Sequence, residues 1–306
     1  IILDAAANVY ITGGGQWNAA GTDTDYLIVK YNTNGVQQWA DFFSTELGSP
    51  ATQLDEGFKI TLDATDNPII TGTSGGTVNS NNLDFVTVRY TSAGAFDWSH
   101  RYDYNGNFDT PTDIAVDGSG NIYVTGAAYF NALQDANYLT VKLNSAGAFQ
   151  WAQDYNGTGS DYDKPNALVI DGAGNVYVTG RSFGATSAED IYTIAYDPSG
   201  TVLWDEIYTT GGSYYDEGTD ISLDPAGDIY ITGYSFFPGT NNDYATLKYT
   251  AAGVFEWATR FNGPASNSDR ALAMAIDPAG NIYVTGQSYD PSSGSDYSTI
   301  KYCQYL

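Results

Sequence analysis

Apolar and polar residues alternate along most of the chain with a period near two, in short runs broken by Gly, Pro, Asn and Asp. Typical runs are "ALAMAI" (271–276), "NIYVTG" (281–286), "DYSTIKY" (296–302) and "VFEWATRF" (254–261). They are rich in Val, Ile, Thr, Tyr and Phe, which suit a pleated, half-buried surface. No window of ten or more residues repeats at helical spacing. The pattern predicts an all-β chain.

The runs themselves recur. "LDAAANVYITG" (3–13), "LDATDNPIITG" (62–72), "VDGSGNIYVTG" (116–126), "IDGAGNVYVTG" (170–180), "LDPAGDIYITG" (223–233) and "IDPAGNIYVTG" (276–286) are one phrase, stepping by 59, 54, 54, 53 and 53 residues. Trp39, Trp98, Trp151, Trp204 and Trp257 keep that step, each four residues after a glycine: Gly35, Gly94, Gly147, Gly200 and Gly253. Each repeat reads as four strands: an apolar strand A, strand B ("NIYVTG"), strand C ("DYSTIKY") and the tryptophan strand D. Four short strands in about 50 residues, repeated radially, predict a β-propeller of six four-stranded blades. The blades are expected at 1–43, 55–102, 109–155, 163–208, 216–261 and 269–306, in a single domain over 1–306. Strands A, B and C occur six times and D five times, so the last blade is expected to lack its outer strand in this chain. An upstream segment, the preferred source, or a strand added by another molecule would complete it.

The Asp, Pro and Gly of the phrase are expected to serve the turn. Proline presets φ, and glycine takes the left-handed position that closes the hairpin. Ala7 and Asp66 stand where the later copies have glycine, so those two hairpins are expected to differ.

With 36 acids against 11 Lys and Arg, the net charge is −25. This argues against nucleic acid and anionic membrane as partners and favours cations or a basic partner. No transmembrane run is present, so no direct membrane insertion is expected. The lone Cys303 cannot form an internal disulfide.

The short A–B and C–D turns fall at one end of the blades. The variable B–C and D–A loops fall at the other, the usual layout of a binding surface. Two acids per blade belong to that end. Asp25, Asp84, Asp190, Asp243 and Asp296 precede strand C, with Asn137 in the third copy; Asp55, Asp109, Asp163, Asp216 and Asp269 open strand A. Their regularity favours a role in fixing loops through backbone N–H groups. The sharper reading is weak Ca²⁺ binding at Asp161 with Asp163, or at Asp216, Glu217 and Asp220. Aromatics at the same end suit sugar rings or a protein partner. Tyr129, Phe183, Phe236 and Tyr289 occupy one equivalent position after strand B, which favours packing between blades; Tyr162 is a further upper-loop candidate, and the unrepeated Trp17 and the Tyr214–Tyr215 pair are the better contact candidates.

Catalysis is not expected. With one His and one Cys no zinc centre is expected, and His100 lacks the setting of a triad base. A carboxylate-based glycoside hydrolase remains the remote alternative.

The phrases "D-x-x-G-N-[IV]-Y-V-T-G", "D-Y-x-T-[ILV]-K-Y" and "G-x-x-x-W" resemble the bacterial β-propeller repeat family SBBP, across the whole chain. The resemblance implies a secreted or cell-surface bacterial propeller, by extrapolation one exported by type IX secretion, and supplies no catalytic motif. The function expected is a non-catalytic binding or scaffold module for protein or glycan, working through the variable loops. The alternative is an assembly part of a surface layer, filament or adhesin, joined by strand addition at the sixth blade.

Overall fold

The alternating runs form 23 strands and no helix among the described residues. The computed structural model describes residues 1–16, 24–44, 55–76, 79–130, 135–159, 162–184, 188–211, 214–265 and 267–303. The chain divides into two compact units, Ile1–Tyr155 and Asn156–Leu306.

In the first unit, sheet one holds β1 (Ile2–Leu3), β2 (Val9–Gly15), β3 (Asp25–Tyr31) and β4 (Gln37–Phe43). Sheet two holds β5 (Asp55–Leu62), β6 (Pro68–Gly76), β7 (Asn79–Tyr90) and β8 (Phe96–Tyr102). Sheet three holds β9 (Asp109–Val116), β10 (Ile122–Tyr129), β11 (Ala136–Leu143) and β12 (Phe149–Tyr155). In the second unit, sheet four holds β13 (Lys164–Ile170), β14 (Val176–Phe183), β15 (Glu189–Tyr196) and β16 (Val202–Tyr208). Sheet five holds β17 (Asp216–Leu223), β18 (Ile229–Phe237), β19 (Asn241–Tyr249) and β20 (Phe255–Phe261). Sheet six holds β21 (Arg270–Ile276), β22 (Ile282–Asp290) and β23 (Gly294–Tyr302). All pairings are antiparallel between neighbours in sequence, as hairpin connections require. Among the described residues β23 pairs with β22 alone.

Burial peaks in the two middle strands of a sheet. β10 and β11 are buried at every position, whereas the tryptophan strand β8 alternates between half-buried and exposed. The core lies between sheets: Ile69 and Phe85 of sheet two pack with Ile114, Val124 and Leu139 of sheet three. Ile191 of sheet four packs likewise with Ile221, Ile231 and Leu247 of sheet five.

Each letter of the repeated phrase has a physical task. Asp117 Oδ1 accepts the amides of Ser119 (2.9 Å) and Asn121 (2.8 Å). Its Oδ2 accepts Asn121 Nδ2 (2.7 Å) and the Tyr123 hydroxyl (3.3 Å). Asp171 and Asp277 repeat all four bonds. The aspartate thus ties the turn, the asparagine and the strand-B tyrosine together. The strand-B threonine meets the strand-C threonine: Thr179 and Thr193 hydroxyls lie 3.0 Å apart, as do those of Thr285 and Thr299. The following glycine faces a bulge in strand A. A Cβ on Gly72, Gly233 or Gly286 would stand 1.9–2.0 Å from the carbonyl oxygen of Glu56, Glu217 or Arg270. The tryptophan and the strand-C cation clasp the C–D turn of the next sheet. Trp39 Nε1 and Lys30 Nζ both donate to Ser92 O (3.2 Å), Arg89 to Ser145 O (3.0 Å) and Trp204 Nε1 to Ala251 O (3.1 Å).

The first two hairpins do not differ as expected. Ala7 and Asp66 both adopt φ of 60° and donate to Asp4 O and Asp63 O at 2.9 and 3.0 Å, as Gly120 does to Asp117 O at 2.9 Å. The aspartate bonds hold the same turn, and these two residues carry the left-handed strain, on the order of 1 kcal/mol each.

The hubs set an acid limit. Burial pulls the Asp171 carboxyl up, but bonds from the Asn175 side chain and amide and from Tyr177 outweigh it and hold the group below its ordinary value of 3.8. A carboxyl depressed on folding adds stability above that ordinary value and loses it as pH falls through the folded value. Asp171→Asn keeps the acceptor and removes the charge. Its urea midpoint is therefore expected to fall less steeply than the wild type's below about pH 4; parallel acid limbs would refute this.

Candidate functional site

The opening residue of strand A and the residue before strand C lie on one rung either side of strand B. Asp216 pairs with Ser235, and Ser235 with Asp243. All three are buried. In the second unit the strand-A carboxylates are fully engaged. Asp163 accepts Gly157 N (2.6 Å) and Phe183 N (2.9 Å). Asp216 accepts Thr210 N (2.9 Å), Ser235 Oγ (2.7 Å) and Phe236 N (3.1 Å). Asp269 accepts Gly263 N (2.7 Å) and Tyr289 N (3.0 Å). They fix the D–A loop to the end of strand B, the loop-holding role expected from their regularity.

One rung further along, the residues change from repeat to repeat. Lys164 pairs with Arg181, Glu217 with Tyr234 and Arg270 with Gln287. Arg181, Glu217, Tyr234 and Arg270 form a connected set with Asn166, Glu189 and Tyr162. Arg181 Nη1 lies 2.8 Å from Glu189 Oε2 and 3.6 Å from Glu217 Oε2. The Tyr234 hydroxyl donates to Glu217 Oε2, and Asn166 Nδ2 donates to Glu217 Oε1 at 2.8 Å. The Arg270 guanidinium stands 4.8 Å above the Tyr234 ring, and that of Arg181 4.9 Å above Tyr162. Burial lowers the Arg181 pKa, but Glu217 and Glu189 more than restore it, so the cation persists. Burial and the Glu217 carboxylate hold the Tyr234 hydroxyl well above its ordinary value, in the protonated, donating form. The set brings two guanidinium groups and two carboxylates beside aromatic faces, with the Asn166 amide and the Tyr234 hydroxyl donating to Glu217 within it. The sequence reading missed it. The signal was available: the residues after the strand-B glycine are Gly14, Thr73, Ala127, Arg181, Tyr234 and Gln287, the variable position of an otherwise constant phrase.

The predicted contact residues divide. Tyr214 stacks on Phe236 at 4.4 Å, and Tyr129 packs edge-on to Phe108 at 5.2 Å. Phe183 and Tyr289 are half-buried at the ends of their strands. Tyr162 lies under Arg181, while Tyr215 stands 56% exposed beside Asp216. Trp17 and Asp161 lie outside the described residues. The acids suggested for calcium in the second unit are engaged elsewhere: Asp163 and Asp216 as above, Glu217 by Asn166, Tyr234 and Arg181, and Asp220 by Ile221 N (2.9 Å) and Met274 N (2.7 Å). Cys303 is exposed. It lines, with Tyr230, Lys248, Trp257, Thr259, Ile282 and Tyr302, a cavity of about 440 Å³.

The first unit departs from this plan at sheet three. Burial, with the charges of Asp84 and Asp103 adding to it, pushes the Asp109 carboxyl up to about 8 against the pull of the Tyr104 amide. Burial also lifts Asp84 to about 6, although Arg101 holds it from one side.

Residues 97–131, 150–185 and 256–291 each match the family model SBBP, described as a beta-propeller repeat. These three segments are similar to the SBBP beta-propeller repeat. Each matched segment runs from a tryptophan strand through the next strands A and B, and the antiparallel sheets fit that architecture. An ulvan lyase of polysaccharide lyase PL25, solved bound to -[GlcA(1-4)Rha3S]-, superposes with a TM-score of 0.63 at 13% identity, over 98% of this chain and 78% of that one. The polysaccharide lyase Uly1 gives 0.51 at 12% identity, over 96% of this chain and 78% of that one. An uncharacterized WD repeat-containing protein of Acanthamoeba polyphaga mimivirus is 23% identical over 91% of this chain. The chain spans 29% of that protein's length. These likenesses show the fold. They also correct the expectation that catalysis is absent: both lyases are enzymes with this architecture, so repeat composition and a single His and Cys do not argue against an enzyme here.

Proposed function

We propose that the protein engages an acidic polysaccharide at the strand-A opening end of sheets four to six, through Lys164, Arg181, Tyr234 and Arg270. The observation that carries this is where the scarce positive charge sits. Of 11 Lys and Arg, five occupy the strand-C position of the blade design; three of the other six are gathered on this one rung. A chain with net charge −25 repels polyanions at long range. A local set of cations overcomes that only for a ligand whose carboxylate or sulfate groups meet them directly. Exposed Tyr215 and half-buried Tyr162 add ring faces for sugar. The lyase neighbours support the same class of ligand.

The test is retention on an immobilised uronate- and sulfate-bearing polysaccharide against a neutral one. Arg270 is exposed, so Arg270→Gln leaves the fold intact. It is expected to weaken binding about tenfold, the loss of one charge-assisted contact, and wild-type binding is expected to fall with salt. Equal retention of wild type and variant, or equal retention on the neutral polymer, would refute the reading. Assaying the same incubation for unsaturated sugar ends reads whether engagement proceeds to cleavage.

A further inference from the structure

We propose a calcium site in the first unit, formed by Asp84 of β7, Asp103 of the loop after β8, and Asp109 of β9. One carboxylate oxygen from each lies within 4.8 Å of the others, and no other such group of three is found among the described residues. Oxygen ligands at 2.3–2.6 Å, the calcium range, can stand that far apart across one ion.

The comparison between repeats makes this more than a cluster of acids. Asp163, Asp216 and Asp269 each give Oδ1 to the amide at the end of strand B. In sheet three the matching amide, of Tyr129, donates instead to Phe108 O at 3.1 Å, and leaves only a weak pull on Asp109. The strand-B serine that bonds Asp216 in sheet five is replaced by Ala128. Asp109 is 0% exposed, and its Oδ1 accepts no hydrogen bond; Tyr104 N holds only Oδ2, at 2.7 Å. Asp84 is 1% exposed. Arg101 binds its Oδ2 at 2.5 Å, and its Oδ1 likewise has no partner. Two buried carboxylate oxygens, one on each of two members of the group, therefore lack donors, a costly state for a buried polar atom. Asp103 completes the group from the exposed side. Its Oδ1 accepts Gly106 N at 2.7 Å. Asn156, Thr209 and Asn262 take its place in later repeats, so the third acid belongs to this loop alone. Once their protons are displaced, three carboxylates against one guanidinium carry two net negative charges, which one divalent ion meets. An all-oxygen set selects a hard cation, and carboxyl groups drawn from two strands and a loop suit the flexible shell of calcium better than the near-ideal octahedron that magnesium demands.

The probe is terbium as a calcium surrogate, its luminescence sensitised by Tyr104 and Tyr102, with calcium as competitor. Wild type is expected to show one site displaced by submillimolar to millimolar calcium. Asp103→Asn keeps the Gly106 acceptor on an exposed side chain and is expected to weaken binding at least about tenfold. Calcium should raise the wild-type melting temperature and leave that of the variant nearly unmoved. Glu206→Gln, an exposed acid in the second unit, should bind as wild type does. Absence of binding at millimolar calcium, equal affinity in Asp103→Asn, or equal displacement by magnesium would overturn the proposal.

Discussion

Gly233→Ala is expected to destabilise the protein by about 3 kcal/mol, at the upper end of what overpacking costs, because rotamer adjustment cannot relieve it. The added Cβ would stand 1.9 Å from the Glu217 carbonyl oxygen and 3.0 Å from Gly218 Cα, both backbone atoms. The strand-A bulge between Gly218 and Asp220 brings that carbonyl inward. Relief requires the bulge to flatten, and flattening shifts the register that places Glu217 opposite Tyr234. An internal control separates this clash from ordinary strand propensity. Gly13 is the same letter of the phrase in sheet one, where a Cβ meets nothing within 4 Å. Gly13→Ala is expected to be neutral or slightly stabilising, since glycine in a strand is itself unfavourable. Urea unfolding of the two variants reads the contrast directly. Similar midpoints would show that the bulge yields, and the account of the repeated glycine would fail.

The repeat was legible because its letters act on near neighbours. The aspartate, asparagine and tyrosine bond one another within six residues, and the paired threonines sit on adjacent strands of one hairpin. Such contacts recur at every copy and leave a period in the chain. The sites are legible only where copies differ. The cationic rung around Arg181 and Arg270 sits at a position where each sheet carries a different residue, so it leaves no period. The Asp84–Asp103–Asp109 group depends on a change of partner by one amide, Tyr129 to Phe108 O, and on one loop residue without a counterpart. Register and hydrogen-bond direction decide both, and neither is written in residue type. The Ala7 and Asp66 turns show the converse. Residue type predicted a different hairpin, and the surrounding aspartate bonds overrode it.

Trp204→Ala is expected to cost about 3 kcal/mol, the low end of the range for large aromatic deletions, because the ring is half-buried. The indole of sheet four lies against Gly253 in the C–D turn of sheet five, stacks on Tyr249 at 6.2 Å and meets Tyr177 at 5.9 Å. It is the outer clamp between two sheets whose inner clamp is the Ile191–Ile221–Leu247 cluster. Two contributions are combined in it: ring packing and the bond from Nε1 to Ala251 O at 3.1 Å. Packing should dominate, because Trp98 keeps the same seat on Gly147 although its Nε1 makes no hydrogen bond. Trp204→Phe preserves most of the stacking and removes the bond. Its cost should therefore be about 1 kcal/mol, the net worth of one hydrogen bond with water free to replace it. Equal losses in Trp204→Phe and Trp204→Ala would place the clasp in the hydrogen bond instead. The glycine four residues ahead of each tryptophan would then answer only to its own turn, where φ is 83° at Gly253, and not to the ring of the preceding sheet.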